Sequence, residues 1–212
     1  MVTAKFITFE GGEGSGKSTQ AERLAARFAR SGVAAVVSRE PGGTPLGEKI
    51  RALILDRRPQ AAETEFLLFA AARAEHLAAL IVPELASGRW VICDRFIDST
   101  RVYQGKLAGI SPALIETLEK LTVTRMPDLT LVLDLPPEIG LERAKARGGQ
   151  NRYDEAALPY HQSLRAGFRD IAAREPKRCV VIDGARPVDA VEADVWTAVS
   201  TRLLGRHPGW TS

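Results

Sequence analysis

Short apolar runs alternate along this chain with stretches in which apolar residues recur every third or fourth position. Lys5 to Phe9, Val33 to Ser38, Trp90 to Asp94, Leu129 to Leu133 and Cys179 to Ile182 read as buried strands. Between them lie helical stripes. The first is Ala21, Leu24, Ala25 and Phe28, and the second, on a short helix, is Leu46, Ile50, Leu53 and Ile54. A long helix over Glu63 to Ala86 carries Phe66, Phe69, Ala70, Leu77, Leu80 and Ile81. Ser111 and Pro112 open a helix with Leu114, Ile115, Leu118 and Leu121 inward. Another helix starts at Glu138, one is striped by Tyr160, Leu164, Phe168 and Ile171, and the last runs from Pro187 to Leu204 on Val188, Val191, Val195 and Val199. Strands and helices in alternation predict an α/β fold: a five-stranded, parallel, doubly wound sheet with helices on both faces.

Composition narrows the class. The 212 residues show no shift marking a second unit, so we expect one domain over 1–212 with a loose tail at 205–212. No apolar run reaches the roughly 18 residues of a membrane span, and the N-terminus lacks a signal-peptide layout; a cytoplasmic protein without a membrane partner is expected. The net charge is +3, but 29 basic residues stand against 26 acidic ones and the arginines collect locally. That favours a small anionic ligand over a nucleic acid. Cys93 and Cys179 lie inside strand-like runs and read as core residues.

The candidate chemistry centres on Phe6 to Thr19, FITFEGGEGSGKST, where a buried strand breaks into a glycine-rich turn before a helix. Gly11, Gly16, Lys17 and Ser18 fit G-x-x-x-x-G-K-[ST]. Main chain without side chains wraps a polyphosphate, Lys17 reaches its outer oxygens and Ser18 supplies a magnesium ligand. Further along, Arg39, Glu40, Pro41, Gly42 and Gly43 follow a strand end, the edge at which ligands of open α/β sheets bind. Asp94 and Arg95 close the third strand, an arrangement that suits ordering of a metal's water shell and a grip on phosphate, or a plain surface pair. Arg73 falls on an apolar helix stripe, where it must be paired internally or face a ligand. Arg143 and Arg147 sit one turn apart on one helix face and Arg152 follows in the loop; a polyphosphate would offset their mutual repulsion.

No N-K-x-D for guanine is present, and no strand ends in Asp-Glu to position a hydrolytic water. Many arginines around one lysine instead suit transfer of phosphate onto another phosphate, where several negative charges are held in line and neutralised.

The stretches FEGGEGSGKST, SREPGGTPLGEKIR, LLFAAAR, CDRFIDSTRVYQG, PDLTLVLDLPPEIGLERAKARG and VIDGARP together resemble the bacterial thymidylate kinases, in that family's order and over nearly the whole chain. The resemblance implies a P-loop nucleoside monophosphate kinase fold with a short lid at about 147–155, a homodimer, and transfer of phosphate from ATP to dTMP with Mg2+. It places Gly11, Gly12, Glu13, Gly14, Ser15, Gly16, Lys17, Ser18 and Thr19 at the ATP phosphates, Arg186 at adenine, and Ser18 and Asp94 at the metal. Lys17, Arg95, Arg143, Arg147, Arg152 and Glu13 would be catalytic. Glu13 would also face the dTMP 3′-hydroxyl, with Arg39, Arg51 and Arg95 at its phosphate and Pro41 beside it. Phe69 would stack on thymine, Arg73 would donate to its O4, Ser99, Thr100 and Gln104 would line the base pocket, and Tyr103 would sit near the 2′ position. Because Ser15 is not basic, the resemblance is to the family's lid-arginine type, as in enteric bacteria. A deoxynucleoside kinase using Glu40 or Asp94 as base is the alternative enzyme, and a nucleotide-sensing or nucleic-acid-binding protein on a degenerate fold the non-enzymatic one. His76, His161 and His207 are expected to have no catalytic role, since a phosphate monoester acceptor needs no general base.

Overall fold

The computed structural model describes residues 3–56, 58, 60–148, 153 and 155–204. Its centre is a sheet of β1 (Phe6–Glu10), β2 (Ala35–Arg39), β3 (Trp90–Asp94), β4 (Leu129–Asp134) and β5 (Cys179–Asp183) in the order β2-β3-β1-β4-β5. Every pairing is parallel, with Thr8 opposite Cys93 on one side and Thr130 on the other. Successive strand residues point to opposite faces and both faces are covered. On one face Ile7, Phe9, Ile92, Leu131 and Ile182 pack against Leu24 and Phe28 of α1 (Lys17–Arg30) and Val191, Val195 and Val199 of α9 (Val188–Val199). On the other, Val132 and Cys179 meet Leu164 and Phe168 of α8 (Leu158–Arg174), while Phe6, Val91 and Cys93 meet Leu77, Ile81 and Phe96. Both cysteines are buried and free, as their surroundings in the sequence suggest.

The remaining helices are α2 (Pro45–Ile54), α3 (Ala62–His76), α4 (Val82–Ala86), α5 (Ile97–Thr100), α6 (Pro112–Thr122) and α7 (Pro137–Ala146). The long helix expected over Glu63 to Ala86 is present as one continuous helical stretch, Ala62–Ala86, with one local irregularity. Its hydrogen-bond ladder widens to a π-type turn over Leu77–Ile81 between α3 and α4. Pro83 is the cause, since it has no N–H to donate and its ring displaces the carbonyl one turn back. Two more such turns, Arg101–Leu107 after α5 and Ser200–Leu204 after α9, were not anticipated.

A correction concerns hydropathy. As a helical stretch Ala62–Ala86 is 25 residues long with an 18-residue window of mean hydropathy 1.5, enough by length and composition to cross a membrane. A window average tolerates isolated charges that interrupt an apolar run. Here the polar positions are fixed inside the protein: Arg73 and His76 are buried and bonded to Glu40 just after β2. One face of the stretch packs into the protein, with Phe66 against Ile110 and Ile115, and Leu77 against Phe6 and Phe96.

Candidate active site

All five strands run the same way, so their carboxyl ends share one edge of the sheet, and the polar residues singled out in the sequence gather there. The glycine-rich turn leaves β1 and enters α1 at Gly16, whose φ of 91° is left-handed and which offers no side-chain cap to the helix. The first N–H groups of this 14-residue helix are thus left to an anion. Gly14 is required for a different reason. A Cβ there would lie 1.9 Å from the carbonyl oxygen of Gly140, so a bare backbone on each side lets the loop rest on α7.

Lys17 is buried, and its ammonium donates to the carbonyls of Gly11 at 3.2 Å and Gly12 at 2.8 Å and to Ser15 Oγ at 3.2 Å. Burial and the nearby Arg95 lower its pKa to about 8, against the attraction of Glu13 and Asp94. Arg95 is held in a left-handed conformation, φ 69°, that a non-glycine residue adopts only under constraint. The constraint is visible: its guanidinium donates to Glu13 at 2.7 Å, to the Gly11 carbonyl at 3.1 Å and to Ser99 Oγ at 3.3 Å. Burial opposes the charge on Arg95, yet the adjacent Glu13 keeps it firmly protonated. Glu13 is pulled the other way. Burial favours its neutral form, but Arg95, Lys17 and a 2.7 Å hydrogen bond donated by Tyr103 bring its pKa down to about 2. Ser99 in turn is tied to Glu10, a fully buried carboxylate at the end of β1 that accepts from the Phe96 and Ser99 amides and from Ser99 Oγ at 2.6 Å.

These residues border a cleft of about 370 Å³. It is lined by Glu13, Gly14, Ser15, Gly16, Lys17 and Ser18 of the loop and helix start, by Asp94 and Arg95, and by Glu40, Pro41, Arg51, Leu55, Phe69, Ser99, Tyr103, Gln104, Arg147 and Tyr153. Arg51 donates to the Pro41 carbonyl at 2.8 Å, which braces the turn after β2. A second cleft of about 580 Å³ opens beyond the loop, between Thr19, Gln20, Arg143, Arg147 and the Gly184 to Val188 turn that carries Arg186. Arg143 donates to the Gly184 carbonyl at 2.9 Å, and Arg186 is paired with Asp194.

Some expected residues stand elsewhere. Arg39 points outward and donates to both oxygens of Glu48 at 3.0 Å, because its strand neighbour Glu40 takes the inward position. Arg73 and Thr100 are off the cleft wall and bonded to each other at 2.9 Å, with Arg73 Nε donating to Glu40 at 2.8 Å. Arg73 is thus paired internally on two of its three nitrogens. Its Nη1 has no hydrogen-bond partner among the described residues. Arg152, His207 and the tail lie outside the described residues, as does part of the expected lid. Leu55 and Tyr153 line the cleft without having been singled out, and Glu40, noted in the sequence as a strand-end carboxylate before Pro41, lines it as well.

Ser18 Oγ and the Asp94 carboxylate touch at the mouth of the loop. Both are hard oxygen donors, and among the described residues no cluster of three or more His, Cys, Asp or Glu could cage an ion. That suits Mg2+, which keeps several waters and shares substrate phosphate oxygens instead of filling a protein cage.

Comparison with known proteins agrees with this geometry. The family model described as "Thymidylate kinase" matches residues 9–195. A thymidylate kinase of Nitrobacter hamburgensis is 49% identical over 210 residues, covering 96% of this chain and 91% of that protein. One of Bradyrhizobium diazoefficiens is 50% identical over 206 residues, covering 94% and 90%. The crystal structure of thymidylate kinase from Ehrlichia chaffeensis superposes with a TM-score of 0.73 at 36% identity, covering 93% of this chain and 98% of that one. With the loop, the Asp94-Arg95 strand end and the two clefts in the places that chemistry requires, the chain belongs to the thymidylate kinase family.

Proposed function

We propose that this protein transfers the γ-phosphoryl group of ATP to dTMP, giving dTDP and ADP, with the two clefts on either side of the phosphate loop holding acceptor and donor. The observation that carries the assignment of sides is the composition of the smaller cleft. It is lined by the loop with Lys17, by an aromatic face, Phe69, and by two guanidinium groups, Arg51 and Arg95. A flat base stacks on Phe69 while its phosphate approaches Arg51 and Arg95.

The chemistry then asks little of any base. A phosphate monoester is largely dianionic at neutral pH, so it attacks as it stands once it is held in line. Lys17 exchanges its internal carbonyl partners for the outer phosphate oxygens of ATP, and the amides at the start of α1 hold the inner ones. Ser18 and Asp94 would hold Mg2+, and the chemistry it would supply there is neutralisation of charge on the donor phosphates. Arg147 reaches the border of both clefts, where charge builds up during transfer, and Arg143 lines the second cleft beside it. Glu13, fixed between Arg95 and Tyr103, meets the sugar of dTMP, and Tyr103 crowds the 2′ position of a ribose. Arg73 reads the carbonyl at position 4 of thymine, for which its Nη1 remains available; Arg39 and Thr100 act as supports. Arg186 borders the adenine side.

The protein works in the cytoplasm, without nucleic acid or membrane partners, and as a homodimer. Leu46 and Leu53 of α2, Leu67 of α3, and Leu114 and Leu121 of α6 are exposed large apolar side chains on neighbouring helices, which a second copy would cover. Transfer to a sugar hydroxyl is disfavoured because both oxygens of Glu40 are engaged, by Arg73 at 2.8 Å and His76 at 3.0 Å, and so are not free to take a proton. A coupled assay with ATP, magnesium and each nucleoside monophosphate tests the proposal. Turnover of dTMP with dCMP lower by several orders of magnitude is expected, and equal rates on the two would refute the base-reading role of Arg73.

A further inference from the structure

Beneath the turn after β2 lies a closed chain of polar contacts that the reaction does not use directly. Ser38 Oγ and His76 Nε2 are 2.7 Å apart, His76 Nδ1 and Glu40 Oε1 are 3.0 Å apart, and Glu40 Oε2 accepts from Arg73 Nε at 2.8 Å. His76 is fully buried, and the Glu40 and Arg73 side chains are each 3% exposed. Serine, histidine and glutamate in this connectivity are the parts of a nucleophilic triad, but the cluster is sealed. The backbone of Gly43 lies over it so closely that a Cβ there would come within 2.4 Å of Ser38 Oγ and 2.7 Å of His76 Nε2. No acyl or phosphoryl group fits between them.

The contacts are satisfied by the following hydrogen-bond assignment. Ser38 donates to Nε2, Nδ1–H donates to Glu40 Oε1, and Oε2 is left for Arg73. A buried carboxylate shared in this way cannot rotate without abandoning a donor, which costs more than the bond itself contributes. The guanidinium it holds is pinned on its other edge by Thr100 Oγ1 at 2.9 Å and the Phe96 carbonyl at 3.3 Å.

We propose that His76 is a specificity-determining positioning residue: through Glu40 it fixes the orientation of Arg73, and hence the discrimination between a carbonyl and an amino group at position 4 of the pyrimidine. The inference rests on the reading of Arg73 given above. A loosely held guanidinium could turn aside to admit the amino group of cytosine; one fixed by His76 and Glu40 cannot, and the donor–donor mismatch is then felt in full.

Two substitutions separate this role from simple packing. His76→Asn keeps an N–H near the position of Nδ1 and so keeps the donor to Glu40, whereas His76→Gln extends its amide toward Ser38 and leaves Glu40 without that donor. The ratio of kcat/KM for dTMP over dCMP is measured for both, with thermal stability and the KM for ATP as controls. His76→Asn is expected to stay within about threefold of the parent ratio, and His76→Gln to fall about tenfold or more, mainly through a higher KM for dTMP, at unchanged KM for ATP. Retention of the ratio by both variants, or an equal fall in both that follows their loss of stability, overturns the proposal. Arg73→Gln is measured alongside. If it leaves the ratio intact, the reading of Arg73 itself fails; if it abolishes the ratio while His76→Gln does not, only the role of His76 fails.

Discussion

On the proposed acceptor side of the cleft two arginines are wholly or largely buried and already engaged by carboxylates: Arg95 with Glu13 at 2.7 Å and Arg73 with Glu40 at 2.8 Å. On the donor side Arg143 reaches only backbone carbonyls, at 2.9 and 3.4 Å, and Arg147 stands exposed just past the end of α7, bordering both clefts. The same side chain is thus used in two ways. A cation locked to a buried carboxylate is oriented before the substrate arrives and contributes equally to ground state and transition state. An exposed one on a short helix end can move to charge that develops only during transfer. Selectivity and acceptor affinity should therefore sit with the first group, and turnover with the second.

Lys17 lies between the two sides and should show the largest effect. Lys17→Ala is expected to lower kcat about 10³-fold, while the Kd for dTMP, measured by calorimetry, changes little. A comparable loss of dTMP binding would mean that the lysine belongs with the preorganised group. Next, Arg95→Ala should lower kcat/KM for dTMP about 10²-fold and also destabilise the fold, because Glu13 is left buried without its partner. Arg147→Ala should lower kcat about tenfold or more with the KM for dTMP within about twofold; a change in KM alone would erase the distinction between the sides.

Two pH effects sharpen it further. The folded pKa of Lys17 is about 8, below its ordinary 10.5, so in the free enzyme the ammonium is lost as pH rises through 8. The profile of kcat/KM for ATP should accordingly fall about tenfold per pH unit above that point. Over the same window, pH 8 to 10.5, the unfolded chain binds the extra proton, so stability from this group rises while activity falls. Glu13 behaves in the opposite sense. With a folded pKa of about 2 against an ordinary 4.5, its contribution to stability is complete above pH 4.5 and is lost as pH falls toward 2. Acid unfolding followed by circular dichroism should show this loss diminished in Glu13→Gln.

The parts of the molecule that were readable from sequence are those whose physics is local. Strand runs, the Gly11 to Ser18 loop and the Asp94-Arg95 strand end each depend on neighbours a few residues away, and the sheet and the donor-side cleft follow from them. The π-type turn before Pro83 had its cause in plain view, but a stripe that continues at helical spacing hides a widened ladder. Other features depend on residues far apart in the chain. Nothing in the spacing of Ser38, Glu40, Arg73 and His76 announces that they close on one another, because that contact exists only once β2 and α3 are packed. Likewise the outward turn of Arg39 follows from strand alternation that places Glu40 inward, a one-residue matter of register.

The most direct test of the account is the product formed from ATP with dTMP and, separately, with thymidine, followed by phosphorus NMR. Conversion of dTMP to dTDP with thymidine untouched is the predicted result. Phosphorylation of the thymidine hydroxyl, or ATP consumed without dTDP appearing, would contradict it.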